Sequence, residues 1–310
     1  MSWRNKTVVV TGPTASGKSD LALKLALQLD GEIINADSVA VYKGFDIGAA
    51  KPSKKEMELC PHHLFDLFES HEDCDAGLYA KLAKEAISKI RSRSHIPVVV
   101  GGTGLYLRAL TGASFHDLPH DQAIRDELSK KSKEELYEML QANDPGRAAQ
   151  LHPNDHFRLA RALEIFFITG KTIEELTTGR NPVDTRDEFI TVTVIPDRDV
   201  QLERIYARTE KLIRRGLVAE VRNLLEQGVS ESSKPMTSIG YKETCAFIRS
   251  GEKDWDELRD NINVATRQFA KRQNTWFRKN SGDVVMENAD FEECLRLLDS
   301  LTLKNIGEPS

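Results

Sequence analysis

No run of apolar residues in this chain is long enough to cross a bilayer, so a membrane-embedded role is not expected. Cysteine is scarce. Cys60, Cys74, Cys245 and Cys294 are the only four in 310 residues, and their scatter matches no disulfide framework, which points to a reducing cytoplasm. Cys60, His62, His63, His71 and Cys74 lack the paired C-x-x-C or H-x₃-H spacing of a zinc site, so exposed or core roles are expected for them. There is no internal repeat and no low-complexity stretch. Met1 to Lys6 leads straight into a strand-like segment, so no signal peptide is expected. An excess of positive charge is also missing: the net charge is −5, which at first sight argues against nucleic acid. Distribution matters more than the sum, however. Arg267, Lys271, Arg272, Arg278 and Lys279 crowd one segment, with Gln268, Gln273 and Asn274 between them. On charge alone that segment reads equally as a solvated helix face or as a nucleic-acid contact. With 29% charged and 40% hydrophobic residues, the chain has the balance of a soluble globular protein, long enough for one large α/β domain and a smaller insertion.

What is present is a complete G-x-x-x-x-G-K-[ST] loop: Gly12, Pro13, Thr14, Ala15, Ser16, Gly17, Lys18, Ser19. The β-branched run Lys6 to Thr11 precedes it and the Leu/Ala-rich helix pattern Leu21 to Leu29 follows it, which is the order a phosphate cradle needs. Backbone N–H groups and the positive end of the helix dipole bind phosphate oxygens there. Lys18 adds a point charge, and the Ser19 hydroxyl can hold Mg²⁺. A di- or triphosphate-like ligand is expected.

Strand and helix alternate through the first third. Glu32 to Asn35 reads as a short strand ending at Asp37, Asp75 to Arg93 as an amphipathic helix, and Ile96 to Val100 as a strand buried on both faces. The fold class is α/β, a P-loop NTPase-like doubly wound parallel sheet. The pattern changes between 116 and 186, where short helices are expected at Asp121–Lys131, Lys133–Gln141, Asp155–Thr169 and Thr172–Thr178. Asp144-Pro145-Gly146 and His152-Pro153-Asn154-Asp155 punctuate them, and Thr172 with Glu175 forms a capping box. This gives a core of 1–115 and 187–310 with a helical insertion at 116–186. Phe189 to Ile195 returns as a strand, long helices follow at Asp197–Gln227 and Asp254–Lys279, and Asn305 to Ser310 read as a frayed end.

Ligands of such sheets lie beyond the carboxyl ends of the strands, where the phosphate loop, Asp37-Ser38 and Gly101 to Gly104 converge. A Walker-B Asp is absent: the Val98-Val99-Val100 strand ends in Gly-Gly-Thr, which counts against a motor-type ATPase. Asp37 reads as a general base, a metal ligand or a helix cap. Among Arg204, Arg208, Arg214 and Arg215, one could clamp a phosphate.

These motifs, taken with others, add up to a family. They include Val41-Tyr42-Lys43-Gly44, Asp46-Ile47-Gly48 with Ala50-Lys51-Pro52, Pro61-His62-His63-Leu64, and Val100 to Tyr106. Further along come His152 to Asp155 with Arg158-Leu159 and Arg161 to Glu164, then Ile239-Gly240-Tyr241, and Arg267-Gln268 with Ala270 to Gln273. The ordered set resembles the bacterial tRNA dimethylallyltransferases, the tRNA isopentenyltransferase family, over roughly residues 7 to 280. The resemblance implies transfer of a dimethylallyl group from dimethylallyl diphosphate to the exocyclic amine of the adenosine 3′ of the anticodon, with a flipped base and Mg²⁺. The loop would then hold the donor's diphosphate, not ATP, and the insertion would grip the anticodon stem of tRNA. It also implies catalytic roles for Asp37, Thr103, Arg208 and Lys18, and a metal contact for Ser19. The implied tRNA contacts are Asp37, Ser38, Val39, Ala40, Thr103, Arg158, Arg161, Thr237, Ser238, Gly240, Tyr241, Lys242, Lys271, Arg272 and Gln273. A cytoplasmic monomer is expected. Val39-Ala40 stands where the family often has Met-Gln, Ala49 stands where Thr is common, and no zinc finger follows residue 280 as in many eukaryotic relatives.

The chemistry is coherent on its own terms. An adenine amine is a weak nucleophile, which an allylic carbon with a good leaving group suits, and a carboxylate can take the proton released as the bond forms. The competing readings are a P-loop small-molecule kinase, a prenyltransferase of free adenine nucleotides, and a non-catalytic RNA-binding regulator. ATP turnover without a prenyl donor would mark the kinase. The helical insertion and the basic 267–279 segment favour a large RNA acceptor.

Overall fold

Six parallel strands form one sheet in the computed structural model, which describes residues 3–112, 118–178 and 188–304. They are β1 (Thr7–Thr11), β2 (Gly31–Asn35), β3 (His62–His63), β4 (Ile96–Gly101), β5 (Phe189–Val194) and β6 (Val284–Met286), in the spatial order β3-β2-β4-β1-β5-β6. The helices are α1 (Lys18–Gln28), α2 (Lys54–Leu59), α3 (Ala76–Ser92), α4 (Gly104–Leu110), α5 (Gln122–Ser129), α6 (Lys133–Asn143) and α7 (Pro145–Gln150). They continue as α8 (His156–Thr169), α9 (Ile173–Thr177), α10 (Arg198–Arg214), α11 (Leu217–Glu226), α12 (Tyr241–Arg249), α13 (Trp255–Lys279) and α14 (Phe291–Lys304).

β1 lies inside the sheet, in register with β4 through Val8–Val98 and Val10–Val100 and with β5 through Val8–Ile190 and Val10–Val192. Its period-two alternation feeds two cores. Val8, Val10, Ile33, Val98 and Val192 pack with Leu21 and Leu25 of α1 and Cys294 and Leu298 of α14. Val9, Ile34 and Val99 face the opposite layer, with Tyr79 and Ile90 of α3, Tyr106 and Leu110 of α4, and Phe277 of α13. Helices on both faces explain why these strands read as unbroken β-branched runs and not as alternating ones.

One sequence expectation is extended and one is corrected. Asp144-Pro145-Gly146 punctuates the helices as expected, with Asp144 closing α6, and it also opens α7. Asp144 Oδ1 accepts the Arg147 N–H at 2.9 Å and Pro145 occupies the first turn, where its missing N–H costs nothing. The single helix expected at Asp197–Gln227 is two. Gly216, at φ 99°, ends α10 and starts α11 in a left-handed turn that a side chain would disfavour. The Thr172–Glu175 capping box is present. Strands β3 and β6, and helices α2, α7, α12 and α14, had no counterpart in the sequence reading.

The chain forms two compact units, one containing the sheet with α1–α4 and α10–α14, the other containing α5–α9. The second unit has its own core of Leu128, Leu136, Leu140, Leu159 and Leu163. The domain breaks expected at 115/116 and 186/187 lie outside the described residues, as does the end at 305–310. Among the described residues, no helix is long and apolar enough to cross a membrane.

Candidate active site

The phosphate loop runs from the end of β1 to Lys18, the first residue of α1. Gly17 caps that helix at φ 87° with no side-chain hydrogen bond to its first turn, so the orphan N–H groups there are left for an anion. Ala15 takes a positive φ of 62°. Lys18 Nζ donates to the Pro13 carbonyl at 3.1 Å, curling back over the loop. Burial, and next the nearby Arg208 guanidinium, lower the Lys18 pKa to about 8, while Asp37 pulls it the other way. Arg208, on α10, is itself held below its ordinary value by burial, again opposed by Asp37. Two buried cations, of which Arg208 lowers the pKa of Lys18, stand beside open helix amides and form a site for a polyanion, whose binding offsets the cost of their charge. Ser19 is exposed at the mouth of the same turn.

The second half of the site grows from the ends of β2 and β4. Asn35 Oδ1 accepts the Asp37 N–H at 3.0 Å, and Asn35 Nδ2 donates to the carbonyls of Asp37 (3.2 Å) and Leu64 (3.0 Å). Asp37 Oδ1 accepts the N–H groups of Val39 (2.8 Å) and Ala40 (3.1 Å). Its Oδ2 makes no hydrogen bond among the described residues. One oxygen therefore caps the turn while the other remains for chemistry, so the cap and the base are compatible readings of one side chain. Thr103 Oγ1 accepts the Ser38 N–H at 3.2 Å and lies 3.5 Å from Ser38 Oγ. A Cβ on Gly101 would sit 2.1 Å from the Ala36 carbonyl oxygen. That close approach is why β4 ends in glycine where a Walker-B strand carries a carboxylate.

Lys18, Arg208, Asp37, Ser38 and Thr103 thus come together in the sheet-bearing unit. Several residues expected to touch RNA do not offer it their side chains. Ala40 and Tyr241 are buried, and Gly240, also buried, has only backbone groups. The Tyr241 hydroxyl donates to Glu220 at 2.7 Å and accepts the Ala49 N–H at 3.2 Å. Glu220 also gathers the N–H groups of Asp46, Ile47 and Gly48. The Asp46-Ile47-Gly48 motif and Tyr241 are therefore one structural clamp, and Ala49 needs no hydroxyl to join it. Gln273 is buried and bonded at both ends of its amide. Val39 and Ser38 are half-buried, as is Ser238, whereas Thr237, Lys242, Lys271 and Arg272 are exposed.

In the helical unit, Arg158 lies open beside Asp155, whereas Arg161 is engaged. It donates to Glu164 at 2.6 Å and to the carbonyls of Leu118 and Pro119. Glu164 is 1% exposed. Burial raises its pKa, but the hydrogen bonds from Arg161, the Asp121 N–H and Arg125 outweigh burial and hold it below the ordinary carboxylate value. Arg161→Ala is expected to destabilise this unit by about 2 kcal/mol, because a buried carboxylate loses one of its partners. Urea denaturation of the full chain measures this. Unchanged stability with weakened RNA binding would return Arg161 to the surface role.

The sequence reading missed the residues that hold the loop from behind. Gln201 Nε2 donates to the Thr14 carbonyl at 2.9 Å, Asn274 Nδ2 donates to Gln201 Oε1 at 2.8 Å, and Arg204 donates to the Ser16 carbonyl at 3.2 Å. Positions 201, 204 and 208 recur at the spacing of one helix face, and that signal was available. Of the four arginines weighed as clamps, Arg208 is the one beside Lys18. Arg204 binds loop backbone, Arg214 pairs with Glu210 at 3.9 Å, and Arg215 is exposed.

Comparison with known proteins agrees with this geometry. A model of the IPP transferase family matches residues 40–280, and one described as isopentenyl transferase matches 5–65. A tRNA dimethylallyltransferase from Geobacter sulfurreducens is 41% identical over 98% of each chain. A solved tRNA isopentenylpyrophosphate transferase from Bacillus halodurans is 32% identical, with a TM-score of 0.67, over 97% of this chain and 96% of its own. A eukaryotic dimethylallyltransferase acting on tRNA superposes at a TM-score of 0.78 with 27% identity, over 96% of this chain and 77% of its own. Loop, carboxylate and glycine turn all fall within the matched residues, and the chain belongs to the IPP transferase family.

Proposed function

We propose that this enzyme transfers a dimethylallyl group from dimethylallyl diphosphate to the exocyclic amine of the adenosine 3′ of the anticodon in tRNA, releasing pyrophosphate. The observation that carries the reading is the pairing of a polyanion site, Lys18 and Arg208, with a carboxylate, Asp37, close enough to act on both their charges. The amine nitrogen attacks the allylic carbon, the bond from that carbon to the diphosphate oxygen breaks, and the proton leaves the nitrogen for Asp37 Oδ2. Lys18, Arg208 and the loop amides take up the charge that gathers on the leaving pyrophosphate. Thr103, already tied to Ser38, orients the acceptor side. A kinase has no support here, since the matching family model and the similar proteins are described as isopentenyl or dimethylallyl transferases.

Mg²⁺ fits the residues present. Ser19 offers an exposed hydroxyl, a hard ligand of the kind Mg²⁺ shares with substrate phosphates and water. When bound, the ion would neutralise diphosphate oxygens. No group of three or more His, Cys, Asp or Glu side chains suited to a metal occurs among the described residues, so the protein's share of the ligand set is small.

The acceptor base must be unstacked to reach Asp37, which an anticodon-loop base allows for a few kcal/mol. The α5–α9 unit grips the anticodon stem through Arg158, and Lys271 and Arg272 supply contacts on the sheet-bearing unit. The four cysteines are all unpaired and buried, in keeping with a protein of the reducing cytoplasm. Labelled dimethylallyl diphosphate with unmodified tRNA tests the reading. Label should enter tRNA only when both are present, and ATP consumption without the prenyl donor would sink it. Arg158→Ala combined with Lys271→Ala should lower the slope of log affinity for tRNA against log salt by about two, roughly one per lost phosphate contact. Binding of the donor should not change. An unaltered slope would move the RNA site elsewhere.

A further inference from the structure

Gln273 sits on α13 directly after the exposed Lys271 and Arg272, yet its own side chain turns inward and is 9% exposed. Its Oε1 accepts the Thr14 N–H at 2.8 Å and its Nε2 donates to the Gly102 carbonyl at 2.9 Å. The two partners are a donor and an acceptor, so they fix which end of the amide is which. A Cβ on Gly102 would lie 2.9 Å from Gln273 Nε2 and 3.5 Å from Lys18 Nζ. A side chain at this position would push against the amide, so the glycine leaves it room to reach the turn.

The bonds on either side extend the connection. Gln201 holds the Thr14 carbonyl, and Asn274, the next residue on α13, holds Gln201. On the far side, Gly102 is followed by Thr103, which holds Ser38, the neighbour of Asp37. A short path of hydrogen bonds and single peptide links therefore runs from the phosphate loop through one side-chain amide to the carboxylate. Thr14 has both its N–H and its carbonyl taken from behind, so its N–H is committed to this strut and not to a ligand phosphate.

We propose that Gln273 is a positioning residue that sets the spacing between the phosphate loop and the Gly101–Gly104 turn, and with it the distance from the donor's allylic carbon to the acceptor amine. The inference rests on the prenyl-transfer reading above. A strut of this kind changes reactivity more than affinity: displacing reacting groups by about 1 Å costs on the order of 10²-fold in rate. A direct RNA contact would do the reverse, weakening tRNA binding and leaving the bound complex to react normally.

Gln273→Met keeps the length and packing of the side chain and removes both hydrogen bonds. Gln273→Asn keeps an amide but is one methylene too short to span the two partners. Steady-state and single-turnover transfer of labelled dimethylallyl groups to tRNA, tRNA affinity with its salt slope, and the melting temperature are measured for both and for wild type. The expected result is a fall in kcat of about 10²-fold in each variant, with tRNA affinity and salt slope unchanged. If Gln273→Met fails to fold, Gln273→Asn decides alone. A kcat near wild type, or a loss confined to tRNA affinity, overturns the proposal. Wild-type enzyme that transfers no label to tRNA would instead defeat the underlying reading, so the two failures are distinct.

Discussion

Replacing Asp37 with asparagine is expected to lower kcat by about 10²-fold or more, with tRNA affinity little changed. The geometry makes this substitution a clean one. Asparagine keeps an Oδ1 that can accept the Val39 and Ala40 N–H groups, so the turn after β2 should survive. What disappears is the charge, and with it the acceptor for the amine's proton. A second consequence follows from the same loss. The Asp37 carboxylate raises the pKa of Lys18 and of Arg208, so its removal should shift the Lys18 titration to lower pH. Single-turnover rates across pH measure both effects. If the rate stayed near wild type while tRNA affinity fell, Asp37 would be a binding residue and the base would lie elsewhere.

The parts of this site that could be read in the sequence are those whose chemistry is local. Gly12 to Ser19 announce themselves because a phosphate loop is made by consecutive backbone groups between one strand and one helix. The β-branched runs of β1, β4 and β5 are legible because strands buried on both faces permit little else. Asp37 could be placed at a strand end, but its division of labour between Oδ1 and Oδ2 depends on two N–H groups whose direction only the folded turn sets. Gln273 and Tyr241 show where the reading stops. Both stand beside exposed neighbours, Lys271–Arg272 and Lys242, and a segment taken as a unit assigns them to the same surface. Helical rotation of about 100° per residue turns Gln273 inward, to partners some 170 residues and more away in sequence, and no local pattern encodes such pairings. The short strands β3 and β6 fail for the opposite reason. They have two and three residues, too few for any periodicity to register.

Lys18→Ala should reduce transfer by roughly 10²- to 10³-fold, the usual cost of losing one group that stabilises leaving-group charge in a dry site, and should weaken donor binding while sparing tRNA affinity. The depressed pKa of Lys18 gives this prediction a pH signature of definite sign. In the free enzyme the ammonium titrates at about 8. A bound diphosphate brings negative charge beside it and must raise that value. Below pH 8 the lysine is charged in both states, and donor affinity is insensitive to its titration. As pH rises through 8 the free enzyme loses the proton while the complex retains it, so binding takes up as much as one proton and affinity falls by up to about tenfold per pH unit. The decline ends only at the higher pKa of the complex. Calorimetric titration of dimethylallyl diphosphate in buffers of different ionisation enthalpy, between pH 7 and 9.5, reads the proton uptake directly. Wild-type enzyme should show it above pH 8, and Lys18→Ala should lose that component. The residual affinity of the variant, held by Arg208 and the amides at the start of α1, should then change with pH only as the ligand itself ionises. Donor affinity in the wild type that stayed flat from pH 7 to 9.5, with no proton uptake, would overturn the lowered Lys18 pKa, and unchanged donor affinity in Lys18→Ala would remove Lys18 from the diphosphate's surroundings.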